Sequence, residues 1–306
     1  MYIIILKLGF VPEGRQEGCV IMDELIPKSV DEAAGKLMNP TAENAGKTFG
    51  DLWYLVFGGI SFAADKRKIK YQVALETFEK SCREKIEAIP EEKLIEPDTQ
   101  TATIALEESK FCIENAELRD MFSNLIASTM NSDTSDAAHP SFPQILKQMS
   151  PFDAKLFKSL RGISYVAICE YRKIINTQAY TTLQSNIYLG NLSKEQTDKE
   201  GIVKQATSIT LLERLGLINV NYGESLHDKS YYSGFYNTKL YDFYKSNLMP
   251  LEKIEIIKGT MSLTDLGKQL ISICCPIRTI RVTVTRPTIW ETPRAEGQTT
   301  EKTDNT

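Results

Sequence analysis

The sequence predicts a mainly α protein: a helical N-terminal half, then a second helical part that carries a small β element. Three observations lead there. Apolar residues recur at helical spacing along much of the 306-residue chain, as in Val73, Leu75, Phe78, Cys82 and Ile86. Helix punctuation at Asn39-Pro40, Pro90 and Ser150-Pro151 divides that pattern into separate helices. Two short runs, Leu217-Ile218-Asn219-Val220 and Lys253-Ile254-Glu255-Ile256-Ile257, have strand composition and read as partners. The length allows two domains with their own cores, at residues 22–149 and 150–275. A tail follows at 276–306, and its Thr, Pro and charge content predicts a disordered end.

The N-terminal half is organised around residues 42–71, AENAGKTFGDLWYLVFGGISFAADKRKIKY. Residues 52–64 carry no charge, and Lys66, Arg67, Lys68 and Lys70 follow after Asp65. Read as a helix, Ala42, Gly46, Gly50 and Gly58 fall on one i, i+4 ridge of small residues, which lets another helix approach closely. Trp53 and Tyr54 lie toward one end and the cations toward the other, the layout of a segment that rests at a membrane surface. The uncharged run is shorter than the ~20 residues that span a bilayer. Two readings are therefore open: a buried hairpin helix, and an interfacial one.

Around this stretch the chain divides simply. Residues 1–11, MYIIILKLGFV, lack the charged start and cleavage site of a signal peptide. Gln16-Glu17-Gly18 can be encoded as CAG-GAG-GGN, a ribosome-binding sequence shortly before Met22, so residues 1–21 read as a non-native leader. Residues 22–38 are acidic and helical in period. Residues 104–130 form a helical pair that turns near Glu114-Asn115, with Leu106, Phe111, Ile113, Leu118, Phe122, Leu125 and Ile126 as its apolar stripe. Ser150-Pro151-Phe152-Asp153 is a helix start with a capping pattern, and Leu156, Phe157, Leu160 and Ile163 form its buried face. A second helical segment is expected at residues 166–175, and a third at 201–215 closing at Gly216.

After the third helix come a strand, an aromatic-rich insertion at residues 222–250, the partner strand, and a last helix opening at Leu263-Thr264-Asp265-Leu266-Gly267. The order LERLGLINV, hairpin, LTDLGKQL resembles a winged helix-turn-helix domain with a small β-wing. In that fold the third helix reads bases and the wing holds phosphates. Here Lys204, Gln205, Ser208 and Arg214 are the candidates for nucleic-acid or partner contact. Lys199, Lys204 and Arg214 are offset by Glu200 and Glu213, so the phosphate term is small and a protein-docking or sensor role is favoured over DNA. The insertion's tyrosines fit either stacking on single strands or packing the insertion down.

Several chemistries lack their residues. A net charge of −4 gives no whole-chain attraction to nucleic acid. Six scattered cysteines without a CxxC pair fit a reducing compartment, and adjacent Cys274 and Cys275 read as core. Two isolated histidines do not make a metal or hydrolytic site, and His139 reads as pinning the helix that follows it. TAENAGKT approaches a phosphate-binding loop, yet position 41 is Thr where glycine is required. The chain reads as a non-enzyme with no catalytic residue, no metal and no cofactor.

The phrases AENAGKTFGDLWYLVFGGI, IPEEKLIEP, ALEESKFCIENAELRDMFSNLIASTMN and AAHPSFPQILKQMSPFDAKL resemble the abortive infection alpha family of bacterial and phage-borne proteins. The resemblance covers residues 43–156 closely and the winged-helix-like part more loosely. It implies a setting in phage exclusion and brings no catalytic residues. The expectation is a cytoplasmic, oligomeric defence protein whose C-terminal part docks a phage-derived trigger or protein partner. The glycine-ridged helix is then released to self-associate or to touch the inner membrane peripherally. A DNA-binding regulator of phage or defence genes is the competing expectation.

Overall fold

In α1 (Pro40–Phe57) the apolar residues Ala45, Phe49, Leu52 and Val56 follow one another at i+4, i+3 and i+4, so one stripe of the helix faces the core. The computed structural model describes residues 40–59, 66–175, 179–190 and 192–276; residues 1–39 and 277–306, with the leader, the acidic segment and the tail end expected there, lie outside them. Helix α2 (Lys66–Glu87) answers α1 with Ala74, Leu75, Phe78, Cys82 and Ile86. Trp53 is half-buried between the two, its ring centroid 4.4 Å from Phe57, 5.6 Å from Phe78 and 5.8 Å from Phe49.

Helices α3 (Thr99–Ser109) and α4 (Ala116–Ser128) form the expected pair, and Asn115 caps α4 by accepting from the backbone N–H of Glu117 and Leu118. Met121, Phe122, Leu125 and Ile126 bury α4 almost completely. It lies against α2, α3 and the last helix, α9 (Asp265–Cys274). Phe111 departs from the expected stripe: it sits in the α3–α4 turn and is 76% exposed, because the helical period stops at Lys110. After α5 (Phe142–Lys147), α6 (Pro151–Ser159) starts with the capping box read from Ser150 and Asp153. Its last face residue, Ile163, lies beyond the helix and is exposed.

Asp98 caps α3, accepting from the backbone N–H of Thr101 at 3.1 Å and its hydroxyl at 2.5 Å. These bonds, the side-chain one first, hold its carboxyl below the ordinary range. A depressed native pKa means that the contribution is present above the unfolded value, near 3.9, and fades as pH falls through the native one. Asp98→Ala is expected to cost about 1 kcal/mol near neutral pH, and the gap from wild type should close in urea melts at acid pH.

Residues 166–175, expected to be helical, form a strand. β1 (Val166–Ile174) and β2 (Tyr180–Ile187) make a hairpin, and β3 (Ile218–Asn221) and β4 (Lys253–Leu263) complete an antiparallel sheet in the order β2-β1-β4-β3. β1 is central and covered on both faces, so its sequence lacks the alternation of a half-exposed strand. The two strands read in the sequence are present, with a shifted pairing. β3 pairs with residues 260–263 of β4, Ile218 opposite Leu263, while residues 253–261 pair with β1.

Helix α7 (Lys199–Arg214) is capped by Asp198 and ends before Gly216, whose φ of 72° suits glycine at a helix C-terminus. The aromatic insertion packs down, as a 3₁₀ run (Lys229–Asn237) and α8 (Lys239–Ser246). Tyr232 and Phe235 are buried in a second core with Cys169, Tyr171 and Ile256. The Tyr171 hydroxyl donates to the Phe235 carbonyl at 2.5 Å and lies 2.9 Å from the Thr238 hydroxyl. Stacking on single strands is therefore closed to Tyr232, while Tyr231, Tyr236 and Phe243 keep exposed rings. The larger core draws on both halves of the chain, from Ala45 to Cys275.

Candidate functional site

Three pieces of chain meet at one end of the helical layer: the end of α1, the start of α2 and the α3–α4 turn. Lys70 pairs with Glu114 at 2.9 Å, and the Lys110 ammonium lies 5.7 Å from the centre of the Phe57 ring. Tyr54 is 76% exposed and Leu55 71%, and Ile69, Val73 and Phe111 are also open to solvent. Lys147 stacks over Phe111 at 4.9 Å. The first turn of α2 carries Lys66, Arg67 and Lys68 without any acid.

The expected ridge divides under this geometry. Gly50 faces open space, with no atom within 4 Å of where a Cβ would stand, and Gly46 is half-buried. Gly58 has a different task. Its N–H donates to the Tyr54 carbonyl at 2.8 Å, and a Cβ there would sit 2.5 Å from that oxygen. It closes α1, packed against Tyr54 of the preceding turn. Trp53 likewise is packed between α1 and α2 and is not an exposed anchor; Tyr54 is the exposed member of the pair.

The second candidate surface lies on α7. Gln205 is 1% exposed and donates from Nε2 to the Gly190 carbonyl, and Ser208 is buried, so neither can meet a base or a partner in this fold. Both fall on the core face with Ile202, Ile209 and Leu212. Lys204 lies over the Phe152 ring at 4.7 Å, and Arg214 donates to Gln148 Oε1 at 3.3 Å. A shallow groove of about 390 Å³ runs between α7 and β2, lined by residues including Gln184, Ser185, Val203, Thr207, Thr210 and Arg214. Among the described residues Arg214 is the one cation lining it.

The reactive side chains occupy structural positions. Burial pushes the thiols of Cys82, Cys169 and Cys274 upward, and that of Cys275 up to about 11, the opposite of what a thiolate nucleophile needs. Cys274 and Cys275 lie in the core, as read. His139 pins the start of α5: its Nδ1 accepts from the Ser141 backbone N–H at 3.1 Å, and its ring packs on Phe142. Lys85 reaches Asp120 at 2.7 Å, and Lys158 reaches Glu117 at 2.9 Å, joining α2, α4 and α6. Among the described residues no group of His, Cys, Asp or Glu could hold a metal ion, and no helix is long and apolar enough to cross a membrane.

The family model for abortive infection alpha matches residues 70–274. The match begins later than the resemblance read in the sequence and runs through the sheet and α9, the part that resemblance covered loosely. Helix α1 and the basic first turn of α2 stand ahead of it. No curated protein and no solved structure matches the chain. A match spanning well over half the chain, from α2 to α9, places this protein in the abortive infection alpha family, and that membership suggests a role in phage defence.

Proposed function

We propose that the protein is a non-catalytic effector of abortive infection that acts by resting on an anionic membrane surface. The contact is the end of the helical layer where α1 stops and α2 starts. One observation carries this reading: Tyr54, Leu55, Ile69, Val73 and Phe111 are exposed beside a helix turn whose cations have no acid in that turn. Apolar and aromatic side chains beside Lys and Arg are the composition of interfacial contacts, and each basic residue near an anionic leaflet adds about 1 kcal/mol. The protein would stay cytoplasmic until triggered and then bind the inner leaflet, as a monomer or a homo-oligomer.

The C-terminal part is the docking module in this reading. The winged-helix reading of it rests on the sequence order of α7, β3 and β4, with the aromatic insertion between the two strands. The burial of Gln205 and Ser208 and the ties on Lys204 and Arg214 favour a phage-derived protein trigger over DNA. No salt-sensitive shift of duplex DNA is expected in a gel assay; a strong shift lost in Lys204→Ala with Arg214→Ala would favour the regulator.

The deciding experiment is flotation with phosphatidylglycerol and phosphatidylcholine vesicles. Binding is expected only to the former. Leu55→Asp with Phe111→Asp should weaken it at least about tenfold, since both side chains are open and carry little of the fold. In phage-challenged cells the same double variant should lose both protection and early depolarisation. Full protection without vesicle binding would overturn the membrane reading.

A further inference from the structure

Between α8 and β4 the chain turns at Met249-Pro250-Leu251-Glu252. We propose that this turn is the centre of a surface on which two copies of the chain pair about a two-fold axis. The pairing uses none of the residues of the membrane contact.

The first argument is conformation. Pro250 and Leu251 are the central residues of a type II turn, closed by the Glu252 N–H on the Met249 carbonyl at 3.1 Å, and Leu251 has a φ of 77°. Glycine or asparagine takes that position readily, whereas a bulky side chain is strained there. Leucine is nevertheless the residue present, and it is 93% exposed. The fold gains almost nothing from this side chain, so its apolar surface is free to be buried by another molecule.

The second argument is rigidity. The Glu252 carboxylate accepts from the Met249 N–H at 2.9 Å and pairs with the Lys173 ammonium at 2.9 Å, which ties the turn to β1. Met249, 71% exposed, and Leu251 are thus displayed in fixed positions, and little ordering entropy is lost when they are covered. A fluid lipid surface makes no use of fixed geometry; a second folded surface does.

The third argument is charge. Tyr180 pairs with Ile174 and Ile174 with Lys253, so the exposed Tyr180 ring, with Arg172 over it at 4.5 Å, lies at the same end of the sheet as the turn. Phe243, also exposed, precedes the turn on α8. Here Glu252 takes up Lys173 and Glu170 takes up Arg172. The exposed charges beside the turn are then Lys245 and Lys253 against Asp242 and Glu255. They sum to zero. Such a surface has no net attraction for an anionic leaflet or a nucleic acid, and a two-fold rotation sets both signs opposite both signs without repulsion. A second copy is the occupant that this balance suits.

The size of the patch sets the strength. With half or more of each residue open, Tyr180, Phe243, Met249 and Leu251 offer roughly 100 Å² apiece, about half of the ~800 Å² per partner that a stable interface buries. A weak dimer is expected, with a Kd on the order of 10 μM.

Sedimentation of the full chain without lipid, from about 1 to about 200 μM, tests the pairing. A reversible monomer–dimer equilibrium is expected. Leu251→Asn, which suits a positive φ, should raise the Kd at least about tenfold and leave the thermal midpoint in place. Met249→Ser should weaken the dimer too, whereas Leu55→Ser, on the membrane contact, should leave it unchanged. A monomer throughout, a dimer that Leu251→Asn leaves intact, or one that Leu55→Ser abolishes would overturn the proposal. So would association that continues past two copies, since a closed two-fold contact uses up its own surface. A monomer whose binding to phosphatidylglycerol vesicles is lowered by Leu251→Asn would make the turn a lipid contact and also overturn the pairing. A dimer lost in Leu251→Asn, from a chain that binds no vesicle, keeps the pairing and removes the membrane reading.

Discussion

Phe78→Ala is expected to destabilise the protein by about 3–5 kcal/mol and to lower its melting temperature by roughly 10 °C. Phe78 is fully buried, and its ring faces Trp53 at 5.6 Å and Phe57 edge-on at 6.5 Å. Those two rings are the main aromatic hold of α2 on α1, so truncation leaves a cavity between two helices that α4 cannot refill. α4 is itself fixed by α9 and α3. The loss should also be local. Limited proteolysis should reach residues 40–57 in the variant well before the sheet, because α1 loses its clamp while the second core of Tyr171, Tyr232 and Phe235 is untouched. Phe78→Leu should cost clearly less, since it keeps most of the volume. A urea midpoint for Phe78→Ala within about 1 kcal/mol of wild type would mean that α1 is not held by this contact.

The helices were legible because their punctuation is local. Asn115 and Ser150 cap helices where their residue types say they should, and Gly216 takes the positive φ that only glycine adopts without strain. β1 was not legible, for a tertiary reason. Ile168, Cys169, Glu170 and Tyr171 are buried in succession because helices cover one face and the aromatic insertion the other. A run buried on both sides carries neither helical nor strand period. The candidate surface was half legible. The glycines, Tyr54 and the cations mark the end of the helical layer that is proposed above as the contact surface. Which member of Trp53-Tyr54 faces water depended on Phe78, distant in sequence, and the exposure of Phe111 depended on where α3 stops. On α7, Gln205 and Ser208 read as polar and available, but they share the helix face of Ile202, Ile209 and Leu212, and position on the face decided the matter.

Gly267→Ala should be destabilising by about 1–3 kcal/mol or more, although the position is inside a helix, where alanine is ordinarily the better residue by about 1 kcal/mol. The sign reverses because α9 crosses the end of α7 at backbone distance. A Cβ on Gly267 would stand 2.0 Å from the Leu217 carbonyl oxygen and 2.9 Å from its carbon. That carbonyl cannot swing aside, since it accepts from the Thr264 backbone N–H at 3.0 Å. Thr264 in turn donates its hydroxyl to the Gly216 carbonyl at 2.5 Å and accepts from the Gly267 N–H at 3.0 Å. One helix cap thus locks the end of α7, the start of β3 and the start of α9 together. Any added atom must move all three. Because Leu217, Ile271 and Cys274 belong to the larger core, the strain should appear in global unfolding and not as local fraying. Lys268→Ala, next in sequence and paired with exposed Asp265, should stay within about 0.5 kcal/mol of wild type and serves as the control. Equal urea midpoints for Gly267→Ala and Lys268→Ala would show that α9 does not approach Leu217 this closely.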